Sequence, residues 1–129
     1  MESQRKDTTL VEETIIDAGA LARRVVELAE DKQASDIVML DLRKLNAFAD
    51  YFVVCSGESD RQLKAILSAI DEGITKELGL DARIEGSADT GWILLDYGDV
   101  VIHIFSSALR DFYRIEQLWN KATPVVIVQ

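Results

Sequence analysis

The chain has 129 residues, 48% of them hydrophobic, which suits a single domain with a packed core and leaves little room for a second one. Its 23 acidic against 14 basic side chains give a formal net charge of -9, which works against sequence-independent binding to nucleic-acid phosphates and fits a basic protein partner or simply a soluble surface. One cysteine, Cys55, excludes an internal disulfide, and one histidine, His103, leaves no cysteine and histidine cluster for a structural metal. With neither a signal-like apolar run nor a bilayer-length one, the expectation is a soluble cytoplasmic protein that needs no cofactor.

Residues 1 to 8 are polar and expected to be flexible. Thr9 with Glu12 three positions on has the form of a capping box, which predicts a helix running to about Lys32. Val11, Ile15, Ala18, Leu21, Ala22, Val25, Leu28 and Ala29 recur along it at helical spacing. Ser35-Asp36 punctuates the chain, and Ile37 to Leu42 and Tyr51 to Ser56 read as strands. The link Arg43 to Asp50 is too short for a crossover helix, so these strands should pair antiparallel, with Leu45 and Phe48 as candidates for exposure on the link. Ser59 with Gln62 opens a second helix along Leu63, Ile66, Leu67, Ile70, Ile74 and Leu78, and Gly79 is placed to stop it. Asp81 to Gly86 reads as a short strand, followed by the polar loop Ser87 to Thr90.

The stretch Gly91 to Ser107 organises the rest. Its runs Trp92 to Leu95 and Val100 to Phe105 flank Asp96-Tyr97-Gly98-Asp99, where Gly98 can take the positive φ of a tight turn, so a β-hairpin is predicted. Side chains alternate, putting Trp92, Leu94 and Asp96 on one face; the second strand is apolar on both faces, which asks for a central position with two covering layers. Asp96, Tyr97 and Asp99 should form an exposed acidic and aromatic tip, a plausible docking surface. Ser106 or Ser107 can cap a final helix along Leu109, Phe112, Ile115, Leu118 and Trp119, ended by Pro124. The tail Val125 to Val128 is β-prone and uncharged, suited to a sheet edge or else to aggregation.

Three blocks resemble the Iojap-like ribosomal silencing factors, small bacterial and organellar proteins. They are Asp36-Ile37-Val38 through Leu40-Asp41, then Ala49-Asp50-Tyr51-Phe52-Val53-Val54-Cys55-Ser56-Gly57 with Ser59, Arg61 and Gln62, and Glu85-Gly86 with Trp92 and Leu95 through His103. Arg110, Tyr113, Glu116, Leu118 and Trp119 extend a likeness covering roughly residues 10 to 122, with the segment before Thr9 and the tail from Val125 to Gln129 outside it. The resemblance implies an α/β fold, one mixed sheet of about five strands covered by helices and similar to a nucleotidyltransferase core, over a single domain 1–129 with 124–129 as a tail. It also implies a translational repressor that binds the large ribosomal subunit through large-subunit ribosomal protein fourteen and blocks joining of the small subunit when nutrients are scarce. The residues nominated for that contact are Trp92, Leu94, Asp96, Tyr97, Asp99, Glu85 and Asp89: acidic side chains to speed encounter with a basic protein and to repel RNA, and aromatic ones to hold it. Taken alone, Trp92 reads first as an ordinary core tryptophan at a strand start, and the resemblance is what turns it into a contact residue.

Two other classes stay open. A nucleotidyltransferase-like sheet could hold catalytic metal, yet active members of that fold resemble one another in a Gly-Ser turn followed by Asp-x-Asp, whereas Gly57 is followed by Glu58-Ser59 and no Asp-x-Asp occurs. Asp41 and Asp50 are expected at strand ends or turns, His103 as a hydrogen-bonded core residue and Cys55 as a buried inert thiol, so no catalytic residue or metal ligand is nominated and the expectation is not an enzyme. A homodimer is the third class, with the Leu109 to Trp119 stripe and the C-terminal tail covered by a second copy.

Overall fold

The computed structural model describes residues 9–10, 12–13, 17–45, 47–113 and 121–129. Helix α1 is Ala18–Asp31, and its N-cap is Asp17, whose carboxylate accepts from the Gly19 N–H at 3.0 Å. The start expected at Thr9 is corrected: Thr9–Leu10 and Glu12–Glu13 are two-residue extended segments. Thr8 to Ile16 is rich in β-branched residues, which lowers helix propensity, and Asp17 supplies a better acceptor for the free N–H groups of the first turn. Val11 and Ile15 of the expected stripe lie outside the described residues, while Leu21, Ala22, Val25, Leu28 and Ala29 are buried as their spacing predicts.

Strands β1 (Ser35–Asp41) and β2 (Tyr51–Gly57) pair antiparallel, with Asp41 opposite Tyr51. Helix α2 (Asp60–Leu78) follows, capped by the Ser59 hydroxyl, which accepts from the Gln62 N–H at 3.1 Å, and closed by Gly79 in the left-handed region. Gln62 reaches back to the Glu58 N–H at 2.7 Å, one residue earlier than a standard capping box. β3 (Arg83–Ser87), β4 (Trp92–Asp96) and β5 (Val100–Ser106) form a meander, α3 spans Ser107–Tyr113, and β6 is Thr123–Val128. The expected continuation of α3 through Ile115, Leu118 and Trp119 lies outside the described residues.

The sheet has six strands, in the order β3-β4-β5-β2-β1-β6. Five follow the predicted segments within a few residues, and the sixth is the tail, antiparallel to β1 with Ile37 opposite Val128. Pro124 does not end a helix there. It sits inside β6, opposite Leu40, where an edge strand tolerates the missing N–H. β2 and β5 run parallel, the one parallel pairing among the six, and α2 lies within the long connection between them.

Both central strands are buried throughout, apart from Ser106 at the end of β5. Alternation sends Tyr51, Val53, Cys55, Val100, Ile102 and Ile104 into one core with the apolar sides of α1 and α2. Phe52, Val54, Val101 and Phe105 face the other way, into a smaller cluster with Leu40, Leu42, Ala49 and Ala122. Leu45, Trp92, Leu94 and Leu109 close part of this second layer. Leu45 is thus half-buried, whereas Phe48 on the same link is 78% exposed.

Candidate functional site

The predicted hairpin forms. Asp96 pairs with Val101 and Trp92 with Phe105, the Tyr97 N–H donates to the Val100 carbonyl at 2.9 Å, and Gly98 takes φ 91°. The Asp96 carboxylate accepts from the Gly98 N–H at 2.7 Å, which fixes the turn from within.

β3 then adds its own residues to the hairpin's outer face, because directly opposed residues project to the same side of a sheet. Glu85 stands opposite Leu94, Ser87 opposite Trp92, and Arg83 opposite Asp96. Glu85, Trp92, Leu94 and Asp96 therefore share one face, the one away from α1 and α2. Between Glu85, Trp92 and Leu94 lies an open groove of about 390 Å³, whose wall is completed by Gly86, Thr90 and Leu109. Gly86 holds the edge strand close at φ 80°, where a Cβ would fall 2.1 Å from the Trp92 carbonyl oxygen, so no other residue fits without moving the groove floor.

The remaining nominated residues stand apart from that groove. Tyr97 turns to the opposite face and packs against the helix-covered core. Its hydroxyl is buried without a hydrogen-bond partner among the described residues, and burial, followed by the nearby Asp71 and Asp81 carboxylates, pushes it up to about 12. Asp99 is exposed beside the turn, where its carbonyl accepts from the Asp50 and Tyr51 N–H groups at 2.8 and 3.1 Å. Asp89 lies on the 3-10 turn Ala88–Thr90, and the Ser87 hydroxyl bonded to its carboxylate holds it below the usual carboxylate range.

Sequence reasoning missed Arg83. Its guanidinium stands 3.7 Å from Glu85 and 3.9 Å from Asp96, so a cation divides the acidic rim. The signal was present: Arg83 is two residues from Glu85 on a strand, hence co-facial with it. Leu109 and Thr90 were missed because they reach the groove from other elements.

Behind the groove, His103 is 4% exposed, and its Nδ1 accepts from the Trp92 indole Nε1–H at 3.2 Å. Burial lowers this imidazole to about 4, so it is neutral. Its Nε2 has no hydrogen-bond partner among the described residues. Cys55 is fully buried and pushed up to about 12, its desolvation outweighing the field of Arg110. Arg110 itself donates to the Ser56 hydroxyl at 2.8 Å. Asp41 serves a turn, accepting from the Arg43 N–H at 2.9 Å and pairing with the same residue's guanidinium at 2.8 Å, which holds its carboxyl low. No group of three or more His, Cys, Asp or Glu among the described residues is placed to hold a metal ion. No helix among them is long and apolar enough to cross a membrane.

A family model described as ribosomal silencing factor during starvation matches residues 15–129, tail included, so the C-terminal strand belongs to the family pattern that the sequence likeness had ended near residue 122. A Bacillus subtilis protein named ribosomal silencing factor RsfS is 40% identical over 94 residues, 72% of this chain and 79% of that protein. A mouse protein named for mitochondrial assembly of the ribosomal large subunit is 31% identical over 100 residues, 74% of this chain and 43% of its own length. A crystal structure of a Chromobacterium violaceum protein superposes with a TM-score of 0.76 at 35% identity, covering 88% of this chain and 95% of that one.

Proposed function

The chain belongs to the ribosomal silencing factor family, and from that premise we propose that it represses translation by docking on the large ribosomal subunit through large-subunit ribosomal protein fourteen and obstructing the small subunit. The observation that carries the reading is the groove beside Trp92, an aromatic wall half open to solvent with Glu85 in its lining and Asp96 farther along the same face. A tryptophan at the margin of an apolar concavity is the kind of side chain that dominates interface energy, and flanking carboxylates favour a basic protein over RNA phosphate. Glu85, Trp92, Leu94 and Asp96 form the contact face in this reading, with Asp89 and Asp99 on its periphery and Tyr97 supporting the turn from the other side. The mouse relative, named for assembly of the mitochondrial ribosomal large subunit, supports a large-subunit partner. Repression by occupancy needs no turnover and no bound metal.

The test is cosedimentation of the purified protein with isolated large subunits, followed by light scattering of subunit joining. Wild type should pellet with large subunits and slow joining, and both effects should fall together on Trp92→Ala and on charge reversal at Asp96 and Asp99. Variants that stay folded and still pellet like wild type would refute the site.

A further inference from the structure

His103 is the chain's single histidine, and the docking reading gives it no role. It projects from β5 opposite Leu94, on the face that carries Trp92. Among the described residues, three aromatic rings hold it: Phe52 edge-on at 4.8 Å, Phe105 stacked at 6.2 Å, and the Trp92 indole at 6.0 Å. Trp92 also lies over Phe105 at 5.0 Å. These contacts restrain the indole through its ring faces, which ring packing does only loosely, because an offset stack tolerates sliding and rotation. The Nε1–H bond to His103 Nδ1 is directional and adds an orientational restraint that ring packing does not supply.

That bond also dictates the imidazole's state. An acceptor at Nδ1 leaves the ring proton on Nε2. Protonating Nδ1 would turn donor against donor. The indole's polar edge is thereby turned inward toward β5, and the ring presents hydrocarbon to the groove.

We propose that His103 is the positioning residue of Trp92: its Nδ1 lone pair fixes the indole in the orientation that walls the groove, which therefore receives an apolar side chain of the protein partner and not a hydrogen-bond acceptor. This rests on Trp92 lying at the docking surface, and it adds a residue two strand positions from that surface's exposed rim. Such a residue acts on affinity without touching the partner.

The experiment compares His103→Leu, which removes the acceptor while keeping apolar bulk, with His103→Asn, whose amide oxygen can take the place of Nδ1. Trp92→Ala serves as the control for the docking surface itself. The readouts are the Trp92 indole N–H resonance, assigned by its loss in Trp92→Phe, and affinity for purified large subunits. His103→Leu should move that resonance, speed its exchange with solvent and weaken binding by about tenfold, the scale of one directional hydrogen bond. His103→Asn should keep both near wild type. If His103→Leu binds as wild type while Trp92→Ala does not, positioning is refuted and the docking surface stands. If Trp92→Ala also binds as wild type, both readings fall. Should His103→Leu not fold, His103→Met takes its place, again removing the Nδ1 acceptor while leaving Trp92 intact: weakened binding and a moved indole resonance in His103→Met with His103→Asn near wild type support the inference, and wild-type binding in His103→Met or equal loss in the two overturns it.

Discussion

The two faces of the sheet are made by the same strands and built differently. Toward α1 and α2 the side chains are mostly aliphatic and closed over, with Val53, Ile70, Ile74, Ile93, Leu95, Ile102 and Ile104 all at zero exposure. On the other face Phe52, Trp92, His103 and Phe105 form a run of rings, covered in part and open at the groove. Aliphatic packing answers to volume alone, whereas rings carry edges and faces that need orienting. The difference separates the layer that holds the fold from the layer available for recognition.

That separation can be broken from the closed side. Ile70→Ala removes a fully buried side chain under α2 and should destabilise the protein by about 2–5 kcal/mol in denaturant titration. Under conditions where the variant is still folded, its affinity for large subunits should match wild type. Loss of affinity in proportion to stability would be expected only if the two layers were one cooperative site.

Next in size is a pH effect confined to the open side. His103 is lowered to about 4 in the folded protein and titrates near 6.5 unfolded. The unfolded chain binds the extra proton, so the neutral histidine contributes stability above about pH 6.5 that is lost as pH falls toward 4. The full shift corresponds to about 3 kcal/mol. His103→Asn should flatten this part of the stability profile, measured as the difference in unfolding free energy between pH 7 and pH 5 for the two proteins. An unchanged slope would mean the imidazole is hydrated.

Trp92→Ala sharpens the comparison from the other direction. The residue is only half-buried, so it should cost less folding stability than Ile70→Ala while losing about 2 kcal/mol or more of large-subunit binding, mainly through faster dissociation. Smallest is charge reversal at Asp96 and Asp99, which should slow association and alter its salt dependence, with a minor change in dissociation rate. Stopped-flow measurements at two ionic strengths distinguish these signatures. Because Arg83 already stands beside Asp96, reversal there also sets two cations side by side, and the effect should exceed that at Asp99.

Much of this architecture was legible in local sequence. Alternating residues around Gly98 identified the hairpin, and the short Arg43 to Asp50 link required the antiparallel pair. Ser59 and Gly79 bracketed α2 because caps act within one turn. The first helix was misread where two local signals competed, Thr9 with Glu12 against Asp17. Pro124 was misread because the same ring that ends a helix is tolerated on an edge strand, and edge position is a property of the whole sheet. The parallel neighbours β2 and β5 were invisible, since their pairing is fixed by packing between distant segments. Within the site, strand period put Trp92, Leu94 and Asp96 on one face, and only the pairing of β3 with β4 adds Glu85 to it. Tyr97 was misplaced, expected with Asp96 and Asp99 at an exposed tip: it is half-buried against the helix-covered core, because side chains in a turn follow no alternation, and of the three only Asp99 is exposed. Strand period was silent on the bond between Trp92 and His103, which joins two strands diagonally.

The order of strands also bears on how the chain is made. β1 is the first strand of the sheet to leave the ribosome and β6 the last, and Ile37 pairs with Val128 about 90 residues later. Until residues 123–128 have emerged, the outer edge of β1 has no partner, and its Ile37, Met39 and Leu40 sit in a sheet that can recruit a strand from any nascent neighbour. A stalled or slowly translated message would lengthen that exposure. This six-residue strand then completes the sheet, and Pro124 within it interrupts the new outer edge that its own docking creates.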